Sequence, residues 1–190
     1  NWMKDHSIDV FIINRTDEFL GEYIASYAER LLWISNFSGS SGKAIISKEQ
    51  AYLFVDGRYT IQAHEQTDSK LFFVKHLQYY WKSLEDLCYE GKIIAIDSNL
   101  HSVEEVEKMQ QIVDGKKSIL QYLDINPIDK CWEKQPSYPQ SKAFIHDLKN
   151  AGKARRDKIY DIQESLTSTF IDYYILTSLD SIAWLLNIRG

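Results

Sequence analysis

Two apolar runs, Ala44-Ile45-Ile46 and Ala51-Tyr52-Leu53-Phe54-Val55, stand either side of the polar tetrapeptide Ser47-Lys48-Glu49-Gln50. Four polar residues between two short runs of this kind read as the turn of a β-hairpin. Ser38-Gly39-Ser40-Ser41-Gly42 opens the unit as a sharp loop, with glycines that permit positive φ, and Asp56-Gly57-Arg58 closes its second strand. From Tyr59 onward Ile61 and Ala63 sit among Gln62, His64, Glu65 and Gln66, which predicts a helix starting near Arg58 with Asp56 as its N-cap. The unit is therefore strand, hairpin, strand, tight turn, helix.

The rest of the chain reads as support for that unit. Trp2 to His6 fits the tail of a helix, Ile8 to Ile13 a buried strand, and Tyr23 to Leu32 has roughly helical spacing. Strands are expected at 71–74, 92–97 and 118–123. Helices are expected at 80–89, with Trp81, Leu84 and Cys88 on one face, and at 103–113. This alternation predicts an α/β domain over residues 1–132, a mixed β-sheet flanked by helices. Residues 133–149 hold Pro136 and Pro139 and no periodicity, and read as a linker. Residues 150–190 read as the truncated start of a second, similar domain. Its parts are a polar helix from Gly152 to Thr167 with Ile159, Ile162 and Leu166 as the buried stripe, a strand over Phe170 to Leu176, and a helix from Ser178 to Leu186 capped by Ser178. The chain opens on Asn1 and stops abruptly at Gly190, so a longer polypeptide is expected.

Composition excludes several function classes. With 22 basic and 27 acidic residues, a net charge of −5 and no basic run, the footprint of a nucleic-acid binder is missing. No apolar run approaches a membrane span, so no membrane partner is expected. Hydrophobic residues make up 44% of the chain, enough for a packed core, and two isolated cysteines, Cys88 and Cys131, favour a reducing compartment, the cytoplasm.

Gly39-Ser40-Ser41-Gly42-Lys43 is not a phosphate loop, because the glycines are too close and Ala44 follows the lysine. His6, His64, His76, His101 and His146 are scattered, with no metal-ligand spacing. Neither a metal ligand nor a catalytic residue is expected in this chain. Arg58 is the candidate binding residue. A cation at a helix N-terminus runs against the helix dipole. It reads either as a salt bridge to Asp56 or Glu65, or a solvated side chain, or as a guanidinium aimed into a cleft to grip a carboxylate or peptide carbonyl.

The strings WISNFSGSSGKAIIS and AYLFVDGRYTIQA, with Ala95-Ile96-Asp97, Lys130-Cys131-Trp132 and the closing LDSIAWLLNIRG, resemble the N-terminal region of Xaa-Pro aminopeptidases (aminopeptidase P), relatives of creatinase and prolidase. That resemblance implies a creatinase N-terminal-like domain followed by the start of a second one. It implies a parent metallopeptidase that removes the residue preceding proline, with two ions, usually manganese, in a C-terminal catalytic domain. This chain would bind no cofactor, wall the active-site entrance, and lend Arg58 as a substrate-binding residue. Its partners would be a peptide with proline at the second position, the catalytic domain and, in a homodimer, a second copy. An amidinohydrolase like creatinase fits the closing string less well. A free-standing, non-catalytic peptide-binding or dimerisation module of the same fold is the alternative.

Overall fold

Val10–Asn14 (β1) is buried along its whole length, so a chain built on it needs cover for both faces of its sheet. The computed structural model, which describes residues 2–190, supplies that cover within the first of two compact units, Asn1–Ser137 and Tyr138–Gly190. The short helix α1 (Trp2–Asp5) precedes β1, and α2 (Arg30–Ser35) follows it. Next come the hairpin strands β2 (Gly42–Ser47) and β3 (Ala51–Val55), then α3 (Thr60–Gln66), β4 (Phe72–His76), α4 (Tyr80–Leu87), β5 (Ile93–Asp97), α5 (Val103–Gly115), β6 (Ile119–Leu123) and α6 (Pro127–Cys131).

The six strands form one mixed sheet in the order β4-β3-β2-β1-β5-β6. β2 runs against both its neighbours, pairing Ile12 with Ile45 and Ile45 with Tyr52, while the other three pairings are parallel. Alternation along each strand then sorts side chains into two cores. Phe11, Ile13, Ala44, Leu53 and Ala95 face one side with Leu31, Ala63 and Ile128 from α2, α3 and α6. Val10, Ile12, Ile45, Phe54, Ile94 and Ile96 face the other with Tyr80, Leu84, Met109 and Val113 from α4 and α5. Arg30 locks α2 to α6 through a two-pronged pair with Asp129, at 2.7 and 2.8 Å.

The hairpin turns through Ser47, whose amide donates to the Gln50 carbonyl at 2.8 Å and whose hydroxyl accepts from the Gln50 amide at 3.0 Å. The first unit departs from the sequence reading in three places. Tyr23 to Leu32 is not one helix, because the chain makes a single 3₁₀ turn at Ser26–Ala28 before α2 begins. α6 was not foreseen, although Asn126 caps it with a 3.0 Å bond from the Ile128 amide and Pro127 takes its first position. The glycines of the 38–42 loop do not have positive φ. Their service is close approach: a Cβ on Gly39 would sit 2.2 Å from Phe37 Cζ, and one on Gly42 3.0 Å from Phe37 Cε1.

The second unit holds β7 (Phe144–Ile145), α7 (Leu148–Ala151), α8 (Arg155–Ser168), α9 (Leu179–Leu186) and β8 (Ile188–Arg189), with β7 and β8 antiparallel. Phe170 to Leu176 is not a strand. A strand needs a neighbour to take its N–H and C=O groups, and among the described residues no strand pairs with this segment, leaving Phe170, Tyr173 and Ile175 exposed. Ser178 occupies the N-cap position of α9 without a capping side-chain bond. The unit gathers instead on Lys158, 3% exposed, whose ammonium donates to the Trp184 carbonyl at 2.8 Å and to Asn187 Oδ1 at 2.7 Å. No helix among the described residues is long and apolar enough to cross a membrane.

Candidate functional site

β1, β3, β4, β5 and β6 all run the same way, so the loops leaving them gather beyond one end of the sheet, where β2 begins. Arg58 belongs to the loop leaving β3. Asp56 caps a 3₁₀ turn, Gly57–Tyr59, that leads into α3, and its Oδ1 accepts from the Arg58 amide at 2.9 Å. The same carboxylate takes Arg58 Nη2 at 2.7 Å and Nε at 3.1 Å. The Arg58 side chain itself is 72% exposed. Its bond with Asp56 holds the Asp56 carboxyl below the usual range and the guanidinium above it. Arg58 also lies over the Tyr59 ring, 5.3 Å from its centroid. Ion pairing with Asp56 is thus present, and it leaves the Nη1 edge of the guanidinium unspent.

Tyr59 packs rather than faces outward. Its ring meets Phe37 edge-on at 5.7 Å and its hydroxyl lies 2.7 Å from Ser40 Oγ. Ser38 is bound by Gln66, whose Oε1 accepts from the Ser38 amide at 2.9 Å. The glycine loop is therefore pinned from both ends of the turn-and-helix segment that presents Arg58.

Beside it lies a cluster assembled from positions far apart in the chain. Asn14, at the end of β1, turns its Nδ2 toward the Leu100 carbonyl at 3.1 Å, Glu105 Oε2 at 3.0 Å and His101 Nδ1 at 2.9 Å. Lys43 pairs with Glu105 Oε1, and its ammonium stands 5.1 Å from the centre of the Tyr80 ring. Burial pushes the Glu105 carboxyl up, but His101 and Lys43 outweigh it and hold its pKa at about 2. Sequence reading missed this cluster. The signal available was Ser102-x-x-Glu105, a capping-box pattern, of which only half is realised: Ser102 Oγ accepts from the Glu105 amide at 3.2 Å while the Glu105 carboxylate goes to Lys43, His101 and Asn14.

Among the described residues no three His, Cys, Asp or Glu side chains converge as a metal site would require. Cys88 and Cys131 are both free thiols.

Residues 1–128 match the family described as Creatinase/Prolidase N-terminal domain, and residues 134–190 match a second family of the same description. A probable Xaa-Pro aminopeptidase P of Laccaria bicolor is 36% identical over 99% of this chain and 30% of its own length. Its counterpart in Blastomyces gilchristii is 32% identical over 99% and 31%. The chain thus spans about 30% of the length of the curated relatives it matches. Among solved structures, the X-prolyl aminopeptidase of Caenorhabditis elegans, described as a cytosolic enzyme with a di-nuclear active site, superposes with a TM-score of 0.84. Its identity is 26% over 96% of this chain and 30% of that one. The X-Pro aminopeptidase of Thermotoga maritima, at 20% identity and a TM-score of 0.50, shares the fold.

Proposed function

The chain belongs to the family of creatinase/prolidase N-terminal domains, and from that premise we propose that it is the non-catalytic N-terminal part of a metal-dependent Xaa-Pro aminopeptidase. In that reading it walls the entrance to the active site and lends Arg58 to substrate binding. The observation that carries it is the presentation of Arg58: an exposed guanidinium, oriented by Asp56 and backed by the pinned 38–42 loop, with donors left over.

Two features suit such a grip. Water screens an exposed pair such as Asp56–Arg58, so a substrate carboxylate or carbonyl can share the guanidinium at little cost. Because Asp56 fixes the plane of the fork beforehand, less conformational freedom is lost when the ligand arrives. The relatives named as Xaa-Pro aminopeptidases support a peptide with proline at its second position as substrate. The residues of this chain hold and orient that peptide's distal part. Metal-activated water, the nucleophile that two manganese ions would supply, is assigned to the longer relatives' remaining length. The cytosolic description of the nematode enzyme and the two free thiols favour the cytoplasm.

The test is Arg58→Ala in the full-length polypeptide, assayed on Xaa-Pro peptides of increasing length. A loss in kcat/KM of about tenfold to a hundredfold is expected, ~1.4–2.7 kcal/mol, with bound metal and circular dichroism unchanged. Unchanged turnover on short and long peptides alike would remove Arg58 from the site.

A further inference from the structure

Among the described residues no strand pairs with the outer edge of β4 or of β6, the two ends of the large sheet. An open edge offers a row of N–H and C=O groups to any strand that comes alongside, and proteins blunt it with charges, prolines or bulges. β4 is blunted by Lys75 and His76. β6, Ile119-Leu120-Gln121-Tyr122-Leu123, carries neither charge nor proline, and its register with β5 is unbroken from Ile119 to Leu123.

The Ile119 amide donates to the Lys92 carbonyl at 2.7 Å, which turns the main-chain groups of Ile119, Gln121 and Leu123 toward β5. Those of Leu120 and Tyr122 therefore point outward. Alternation places these two on the face covered by α4 and α5, where Leu120 is buried and Tyr122 is 50% exposed. On the opposite face Leu123 is buried and Ile119 is 55% exposed. Each face of the edge thus holds one covered apolar side chain and one bare one.

We propose that this edge pairs with the same edge of a second copy of the chain, antiparallel about Gln121. In that register Leu120 of each copy stands opposite Tyr122 of the other, and the two exchange both of their N–H···O=C bonds. The bare Tyr122 ring then lies against Leu120, and Ile119 against Leu123, so the edge is complementary to itself. Charge selects the same partner. Lys117, just before the strand, is 75% exposed and only 3.9 Å from Glu90, while Asp124, just after it, is exposed and in no ion pair among the described residues. An antiparallel copy brings Lys117 toward Asp124 of its mate at both ends of the pairing, whereas a parallel copy sets like charges side by side. An interface of one short strand a side is small, so the dimer is weak and reversible, with a Kd on the order of 100 µM. Nothing in this pairing depends on the peptidase reading.

The 190-residue chain is examined by sedimentation equilibrium and hydrogen exchange from about 5 to 500 µM, a range that brackets that Kd. Association should appear toward the upper end, and the amides of Leu120 and Tyr122 should gain protection with it. Tyr122→Pro deletes an outward N–H but no bond within the sheet, and should abolish association with circular dichroism unchanged. Charge reversal decides the matter should that variant fail to fold. Asp124→Lys or Lys117→Asp alone should weaken association about tenfold, and the two together should restore it. Position 117 has a φ of 54°, which aspartate tolerates. Arg58→Ala should associate like the wild type, so failure of the Arg58 role is read separately. A chain that stays monomeric throughout, a dimer that leaves the Leu120 and Tyr122 amides unprotected, a folded Tyr122→Pro chain that still associates, or a double reversal that restores nothing would each overturn the proposal.

Discussion

Glu105 carries its carboxylate, 12% exposed, between Lys43 and His101, and its pKa of about 2 lies well below the ordinary 4.5. A carboxyl whose folded pKa is depressed contributes stability that is complete above its unfolded pKa and lost as pH falls through the folded one. The window here runs from pH 4.5 down to 2. The share at stake is on the order of 3 kcal/mol. Glu105→Gln should therefore be less stable than the wild-type chain at pH 7, yet lose less between pH 4.5 and 2. Urea unfolding at pH 7, 4.5 and 2.5 measures this, and a wild-type-to-variant gap that stays constant across the three would show that Lys43 and His101 do not hold the carboxylate as described. None of this was readable from sequence: Asn14, Lys43 and Glu105 are brought together only by the sheet, and locally Glu105 looks like the third residue of a cap. The capped turn that carries Arg58 was readable, since an aspartate ahead of a glycine and a helical run is a local signal that needs no tertiary knowledge.

The segment Phe37 to Gly42 links residue chemistry to the element it serves. Phe37 is fully buried, and its ring fills the space where a side chain at position 39 would stand. A methyl at Gly39 would also meet Tyr59 Cδ1 at 2.9 Å, so Gly39→Ala must push either the core or the turn that carries Arg58. A cost of about 1–3 kcal/mol is expected from such overpacking, read as a lowered urea midpoint. Gly115, the last residue of α5, has nothing within 4 Å of its added Cβ and no positive φ, so Gly115→Ala should be neutral or stabilising by a few tenths of a kcal/mol. Equal midpoints for the two variants would mean that close packing is not why glycine stands at 39. The same contrast explains what could be read in advance. The hairpin was legible because two short apolar runs either side of a polar tetrapeptide are a local signal, and so were the apolar runs of β1, β4, β5 and β6. α6 was too short to show a period. Phe170 to Leu176 has strand composition, but a strand is a relation between two segments, and composition in one cannot supply the other.

At the scale of the whole chain the two units differ in kind. Among the described residues every fully buried hydrophobic side chain lies in the unit Asn1–Ser137, in two cores pressed on either face of a six-stranded sheet. In Tyr138–Gly190 the buried side chains are Lys158 and Asn187, while Phe144, Ile145, Phe170, Tyr173, Tyr174 and Ile175 are exposed. Its order thus leans on hydrogen bonds. Lys158 satisfies a helix-end carbonyl and Asn187 Oδ1, and Asn187 Nδ2 donates to the Lys153 carbonyl at 3.0 Å. A net hydrogen bond contributes about 1 kcal/mol, whereas each fully buried large apolar side chain contributes about 1.5–3 kcal/mol, so the first unit holds nearly all the driving force. Hydrogen exchange on the intact chain should show it. Amides of β1, β2 and β5 should be protected roughly a thousandfold more than those of α8 and α9, about 4 kcal/mol in opening free energy. Lys158→Met, which takes the donor from Asn187 Oδ1 and leaves the Trp184 carbonyl only the Asn187 amide at 3.4 Å, should speed exchange in α8 and α9 and leave β1, β2 and β5 as they were. Protection at one level across all five elements, or a variant that loosens the sheet as much as the helices, would show that the chain opens as a single cooperative body.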